Sequence, residues 1–336
     1  MINKKTKFCK AAALLGAAVM MISALAGCGK NTKVVLMACL KKNEVFRISS
    51  ASCVLPEVMV YLTNMQNQYE SVYGSQIWNA SDGQLSLEQE EREQVLTQLA
   101  RIKVMNLLAQ KKEVTLDDKE KERAAAAGRE YFTSLNSAEV TALNVTQDLI
   151  TKMYEEYALA EKVYQTIVEN VNPEVSDDEA RTITVDMIRV SDSAKASQVL
   201  GKAKEEGVDF ETLAQAESED QTVMQSFGKG EVSEELEKAA FNLGKDEISD
   251  VVESDGSYYI LKCISTFDEA QTKANKEKIV KQRQSEAFDT EYTAFEQTLV
   301  RQLNEELWNS VTMIHQDDVK TSSFFEVYQM YFQHQE

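Results

Sequence analysis

Arg181-Thr182-Ile183-Thr184-Val185-Asp186-Met187-Ile188-Arg189-Val190 alternates, with Ile183, Val185 and Met187 on one side and Thr184, Asp186 and Ile188 on the other. A period of two over that length predicts a strand with two unlike faces. Downstream, a helix is expected over 193–206, because Gly207 offers a left-handed cap. Asp209 then caps a second, short helix through Phe210, Leu213 and Ala214. A third helix covers 234–243 and stops at Gly244. Residues 248–253 and 257–264 read as strands around Ser254-Asp255-Gly256, an Asp-Gly turn of the kind that closes tight hairpins. Residues 176–267 therefore read β-α-α-α-β-β.

Helical patterns flank this module on both sides. Pro56 suits a first helical turn and Glu57 its positive end; the segment runs to Tyr73 before Gly74 stops it. Ser86-Leu87-Glu88-Gln89 forms a capping box, and Val95, Leu99, Ile102, Met105 and Leu108 follow at helical spacing. Thr115-Leu116-Asp117-Asp118 opens another helix, rich in alanine at 124–127. Thr146 begins a third, with Leu149, Met153, Tyr157, Ala160 and Tyr164 on one face, and Pro173 closes the region. From Asp268 the pattern returns, and Phe288, Tyr292, Phe295, Leu299, Leu303 and Leu307 predict one continuous stripe ending near Trp308. Phe324, Phe325, Tyr328 and Phe332 are spaced as a last helix docked on the body, with client binding as the competing reading. Residues 34–40 and 45–48 are expected to pair as small strands. Two prolines and twelve glycines in 336 residues leave little to interrupt helix.

The expected class is thus α+β: a mostly helical body built from N- and C-terminal segments, with the small β-α-α-α-β-β module inserted. The expected divisions are a signal at 1–27, an anchor with short strands at 28–50, helical regions at 51–175 and 268–336, and the module at 176–267.

Residues 1–10 carry four lysines and no acid, and residues 11–26 are apolar except Ser23. That is a signal peptide's charged and apolar regions, shorter than the roughly twenty residues of a permanent span. Leu25-Ala26-Gly27-Cys28 resembles the bacterial lipobox, which implies cleavage before Cys28 and a lipid anchor on it; two or more acyl chains hold a protein stably on a membrane. Losing four lysines takes the formal charge from −19 to −23, and a surface so acidic repels nucleic acid. Cys39, Cys53 and Cys263 are odd in number and lack CxxC spacing, so neither a disulfide framework nor zinc is indicated. His315 and His334 offer little to a histidine-based catalytic or metal centre. No metal or cofactor is expected.

Residues 181–266 resemble the parvulin-type peptidyl-prolyl isomerase domain. The resemblance rests on Val185-Asp186-Met187-Ile188-Arg189-Val190, Gly207-Val208-Asp209-Phe210-Glu211-Thr212-Leu213-Ala214, Phe227-Gly228-Lys229-Gly230, Phe241 with Gly244-Lys245-Asp246-Glu247-Ile248-Ser249, and Val251-Val252-Glu253-Ser254-Asp255-Gly256, in that order. The layout of signal, helical region, module and long C-terminal helix looks like that of the SurA and PrsA type extracytoplasmic foldases. The resemblance implies unfolded or proline-containing exported polypeptides as partners and a chaperone body around the module. It also implies a proline pocket at Val232, Leu236 and Phe241, with Phe227 beside it. At the family's two histidine positions stand Met187 and Tyr258; Asp220, following Ser218, occupies its Cys/Asp position. Val223-Met224-Gln225-Ser226 replaces the usual glycine-rich segment. Isomerase activity, weakened by the lost histidines, is therefore one expectation, and a chaperone or assembly factor that retains the fold without catalysis is the other. On the bland reading, Met187, Val232, Leu236 and Phe241 are core side chains, Asp220 a solvated loop acid and Tyr258 a half-buried strand residue. An unrelated solute-binding lipoprotein would show two α/β lobes, whereas this chain has one small sheet.

Overall fold

The computed structural model describes residues 40–80 and 86–332. The leader, Cys28, Cys39 and all but the last residue of the first expected strand lie outside the described residues. The chain divides into two compact units, one formed by residues up to 170 together with those from 285 onward, the other by residues 171–284.

The first unit opens with a hairpin of β1 (Glu44–Ile48) and β2 (Ala51–Val54), paired from Glu44↔Val54 to Ile48↔Ala51. Helix α1 (Leu55–Tyr73) follows directly, with Pro56 in its first turn and the Glu57 carboxylate accepting from Val54 N at 2.7 Å. A 3-10 turn (Ser75–Asn79) leads towards α2 (Leu87–Lys111), which is capped as expected by Ser86 and Gln89. Helices α3 (Asp118–Ser134), α4 (Ser137–Leu143) and α5 (Gln147–Val168) complete this half, each started by a side-chain cap from Asp117, Asn136 and Thr146 respectively. Tyr61, Leu62, Leu99, Leu108, Tyr131, Ile150 and Tyr154 join one buried core. Lys103 is buried within it and donates to Glu57 at 2.7 Å and Glu156 at 2.6 Å.

The second unit runs through α6 (Asp177–Ala180), β3 (Thr182–Val190), α7 (Ser193–Ala203), α8 (Phe210–Glu217), β4 (Met224–Gly228), α9 (Glu234–Phe241), β5 (Val252–Ser254) and β6 (Ser257–Ser265). The four strands form an antiparallel sheet in the order β4-β3-β6-β5. Asp255 and Gly256 both have positive φ in the turn between β5 and β6, as the Asp-Gly pair predicts. Two expectations need correction. Strand β4 was not anticipated, because Met224-Gln225-Ser226 lacks an apolar alternation and becomes a strand only by pairing with β3. The strand expected from residue 248 is formed only at Val252–Ser254, Ile248 making a single bridge to Lys262. One face of the sheet packs Ile188, Val190 and Ile260 against Val199, Phe210 and Ala214. The other packs Ile183, Val185, Met187, Leu261 and Cys263 against Leu236 and Ala240. Helix α10 (Glu269–Glu296) follows, and its residues to Gln284 count with this unit. Polar side chains explain that extent: Asn275 donates to Ala180 O at 2.9 Å, and Arg283 to Glu174 O at 2.9 Å and to Glu179 at 2.6 Å.

The chain then returns to the first unit. The stripe expected to continue to Trp308 is interrupted. Helix α10 ends at Glu296, and β7 (Arg301–Leu303) pairs with β1 to give the order β2-β1-β7. The open edge of β1 outcompetes the helical repeat here, with Ser49 N donating to Val300 O and Asn304 N to Val45 O, both at 2.8 Å. Short α11 (Glu305–Asn309) precedes a stretch without regular structure, held by side chains of α1. Gln66 donates to Ile314 O, Asn67 to Thr321 O and Gln68 to Ser322 O. Helix α12 (Phe324–Phe332) docks through fully buried Phe324, whose ring stacks on Tyr154 at 4.5 Å.

Candidate functional site

Period two along β3 sends Met187 and Arg189 to the α9 face of the sheet. Gln225 and Phe227 reach the same side from β4, and Tyr259 from β6. Met187, Gln225, Phe227 and Tyr259, together with Asp220, Val232, Ser233, Leu236 and Asp255, line a partly open cleft of about 280 Å³. Its floor is apolar and buried, Met187, Phe227 and Leu236 each being less than a tenth exposed. Leu236 is presented by the first turn of α9, whose N-cap Ser233 accepts from Leu236 N and is bonded to Ser254 Oγ at 2.7 Å. That bond ties the β5–β6 hairpin to the helix forming the opposite wall.

Asp220 is not a free acid. Arg189 Nε donates to its Oδ1 at 2.7 Å, and Arg189 Nη1 to Ser257 Oγ at 3.4 Å. The backbone is stitched at the same place, with Arg189 N and Asp220 N both donating to Ser218 Oγ and Glu219 N to Arg189 O. The hydrogen bond to Asp220, followed by its charge, holds the Arg189 guanidinium above its usual range.

Of the residues expected at the site, Met187, Asp220, Phe227, Val232 and Leu236 come together in the cleft. Phe241 does not line it. Its ring lies 6.2 Å from Phe227 and is covered by Arg181 and Lys229, so it backs the floor instead. Tyr258 needs correction. It opposes Val190 in the sheet and packs with the Ile188 and Phe210 cluster on the far face, while Tyr259 lines the cleft. A shift of one residue along a strand reverses the face. The signal was present, since Tyr259 shares parity with buried Leu261 and Cys263. Arg189, Gln225, Ser233 and Asp255 were also missed; only the fold brings these polar residues to one place. Among the described residues no group of three His, Cys, Asp or Glu side chains is placed to hold a metal, and Cys53 and Cys263 are buried free thiols.

Residues 145–278 match the family described as the PPIC-type PPIASE domain. The foldase protein PrsA of Streptococcus pneumoniae is 31% identical over 165 residues, which cover 44% of this chain and 53% of that protein. The chain thus spans about half the length of the curated relatives it matches. Among solved structures, the peptidylprolyl isomerase PrsA of Bacillus cereus is similar at 20% identity over 72% of this chain and 91% of that one, with a TM-score of 0.38. PrsA of Bacillus subtilis is similar at 24% identity over 71% and 91%, with a TM-score of 0.26. Residues 145–278 thus carry a parvulin domain of the PPIC type, and over the matched 165 residues the chain is homologous to PrsA foldases.

Proposed function

We propose that this chain is a membrane-anchored, extracytoplasmic peptidyl-prolyl cis-trans isomerase and foldase acting on unfolded, proline-containing exported proteins, with catalysis weakened by the residues at its polar core. The observation that carries the reading is the cleft itself: within the PPIC-type region, an apolar floor of Met187, Phe227, Val232 and Leu236 stands beside a polar wall. An X–Pro bond isomerises over a barrier of about 18–20 kcal/mol because amide resonance must be broken, and relaxation takes tens of seconds uncatalysed. No nucleophile is needed. A pocket that grips the proline ring and binds the twisted amide better than either planar form is enough. Tyr259 brings a hydroxyl able to donate or accept. Asp220, clamped to Arg189, shapes the wall without presenting a free charge.

Cis/trans exchange on an Xaa-Pro peptide, followed by NMR, tests this. Acceleration that falls at least tenfold in Leu236→Ala and is lowered in Tyr259→Phe is expected. A folded chain that gives no acceleration would leave the second reading, a chaperone whose cleft no longer catalyses. The clamped Asp220, and methionine and tyrosine at the histidine positions, favour that alternative. The anchor rests on the signal-like residues 1–27 and on Cys28, outside the described residues. Fatty-acid labelling lost in Cys28→Ser is the expected result, and labelling that persists would place the lipid elsewhere.

A further inference from the structure

Among the described residues, the cleft carries one formal charge with no ion-pair partner. Of its lining residues, only Asp220 and Asp255 are charged at neutral pH, and Arg189 neutralises the first at 2.7 Å. Asp255 is exposed and stands at the tip of the β5–β6 hairpin. Its position is fixed by the fold, because it and Gly256 are the two left-handed residues of a two-residue turn closed by the Ser254↔Ser257 pair. Ser254 is in turn bonded to Ser233 at the start of α9. The turn geometry and the Ser254–Ser233 bond place the carboxylate at the cleft beside its apolar floor.

We propose that Asp255 is a specificity-determining residue that selects proline sites flanked by a cationic side chain, lysine or arginine, and disfavours acidic ones. The inference rests on the reading of this cleft as a proline-binding site. A proline ring on Met187, Phe227, Val232 and Leu236 leaves the neighbouring residue of the substrate to meet the polar wall. There the uncompensated charge is negative. The effect is that of an exposed ion pair, about twofold to fivefold in selectivity, and it weakens with salt because the Debye length falls to about 3 Å at 1 M.

The test uses residues 29–336 and a peptide series differing only at the residue before proline, Lys, Leu or Glu. Two quantities are read at low and high salt: kcat/KM for exchange, and the dissociation constant from chemical-shift titration. The order Lys, then Leu, then Glu is expected in both. The Lys-to-Glu ratio should fall towards one in Asp255→Asn, which retains a side chain tolerant of positive φ, and should invert in Asp255→Lys. Equal values across the series, or a ratio that survives in Asp255→Asn, would overturn the proposal. If no peptide is accelerated but binding still ranks Lys above Glu with the same dependence on Asp255, the isomerase reading fails while the selectivity stands. Absence of both acceleration and binding would overturn the two together.

Discussion

Glu91 on α2 is 1% exposed, and among the described residues neither of its carboxylate oxygens has a hydrogen-bond partner. Burial pushes its pKa up to about 7 from 4.5. The folded state therefore holds this proton more tightly than the unfolded chain, and stability is lost as pH rises from about 4.5 to 7 and stays lower above that. Glu91→Gln, which imitates the protonated acid at every pH, is expected to stabilise the protein by on the order of 2–3 kcal/mol at pH 8. That advantage should vanish near pH 4.5, as urea denaturation across the range would register. Lys103 is the opposite case, because it is buried as an ion pair with buried Glu57 and partly exposed Glu156. Lys103→Met leaves buried Glu57 without its ammonium partner and is expected to cost about 3–5 kcal/mol in the same denaturation measurement. Glu91 was partly legible in the sequence, since stepping back four residues from Val95 in the stripe Val95, Leu99, Ile102 lands on it. In the cleft the polar neighbours were not legible, because Asp220 meets Arg189 only once the 218–220 loop folds against β3.

Gly128 shows how one element constrains another. A Cβ there would meet Thr151 Oγ1 of α5 and approach Thr151 Cα to 2.9 Å, whereas a Cβ on Gly201 of α7 would meet nothing within 4 Å. Alanine at an unobstructed helical site is favoured over glycine by about 0.5–1 kcal/mol, and overpacking costs about 1–3 kcal/mol. Gly201→Ala should therefore raise the melting temperature and Gly128→Ala lower it. The sequence showed the helices well, because their caps and stripes are local: Ser86 closes with Gln89 where expected, and the helix opened by the 115–118 segment is capped by Asp117 with Glu120. It showed strands poorly where their reason is a partner. Residues 301–303 carry a helical spacing that β1 overrides, β4 has no alternation of its own, and the parity of Tyr258 and Tyr259 depends on which face of β6 the core takes.

At the scale of the molecule, the C-terminal aromatic segment belongs to the interior of the first unit. Phe324 is fully buried, its N–H bonds Asn64 Oδ1 at 3.0 Å and its carbonyl accepts from Tyr154 at 2.8 Å. Removing residues 311–336 is expected to lower or abolish the first unit's calorimetric transition and leave that of residues 171–284 in place. Equal loss of both would contradict the division. The milder Phe324→Ala should cost the first unit about 3–5 kcal/mol. Because β1 lies between β2 and β7, the first strand of this body is laid down before the strand that covers its other edge. A chain delivered from its N-terminus, whether from a ribosome or through a translocation pore, exposes that edge for as long as residues 49–300 take to emerge. The second unit is contiguous and can close midway through delivery. The body has to wait for its last segment, so any interruption late in delivery leaves a finished cleft attached to an unfinished scaffold.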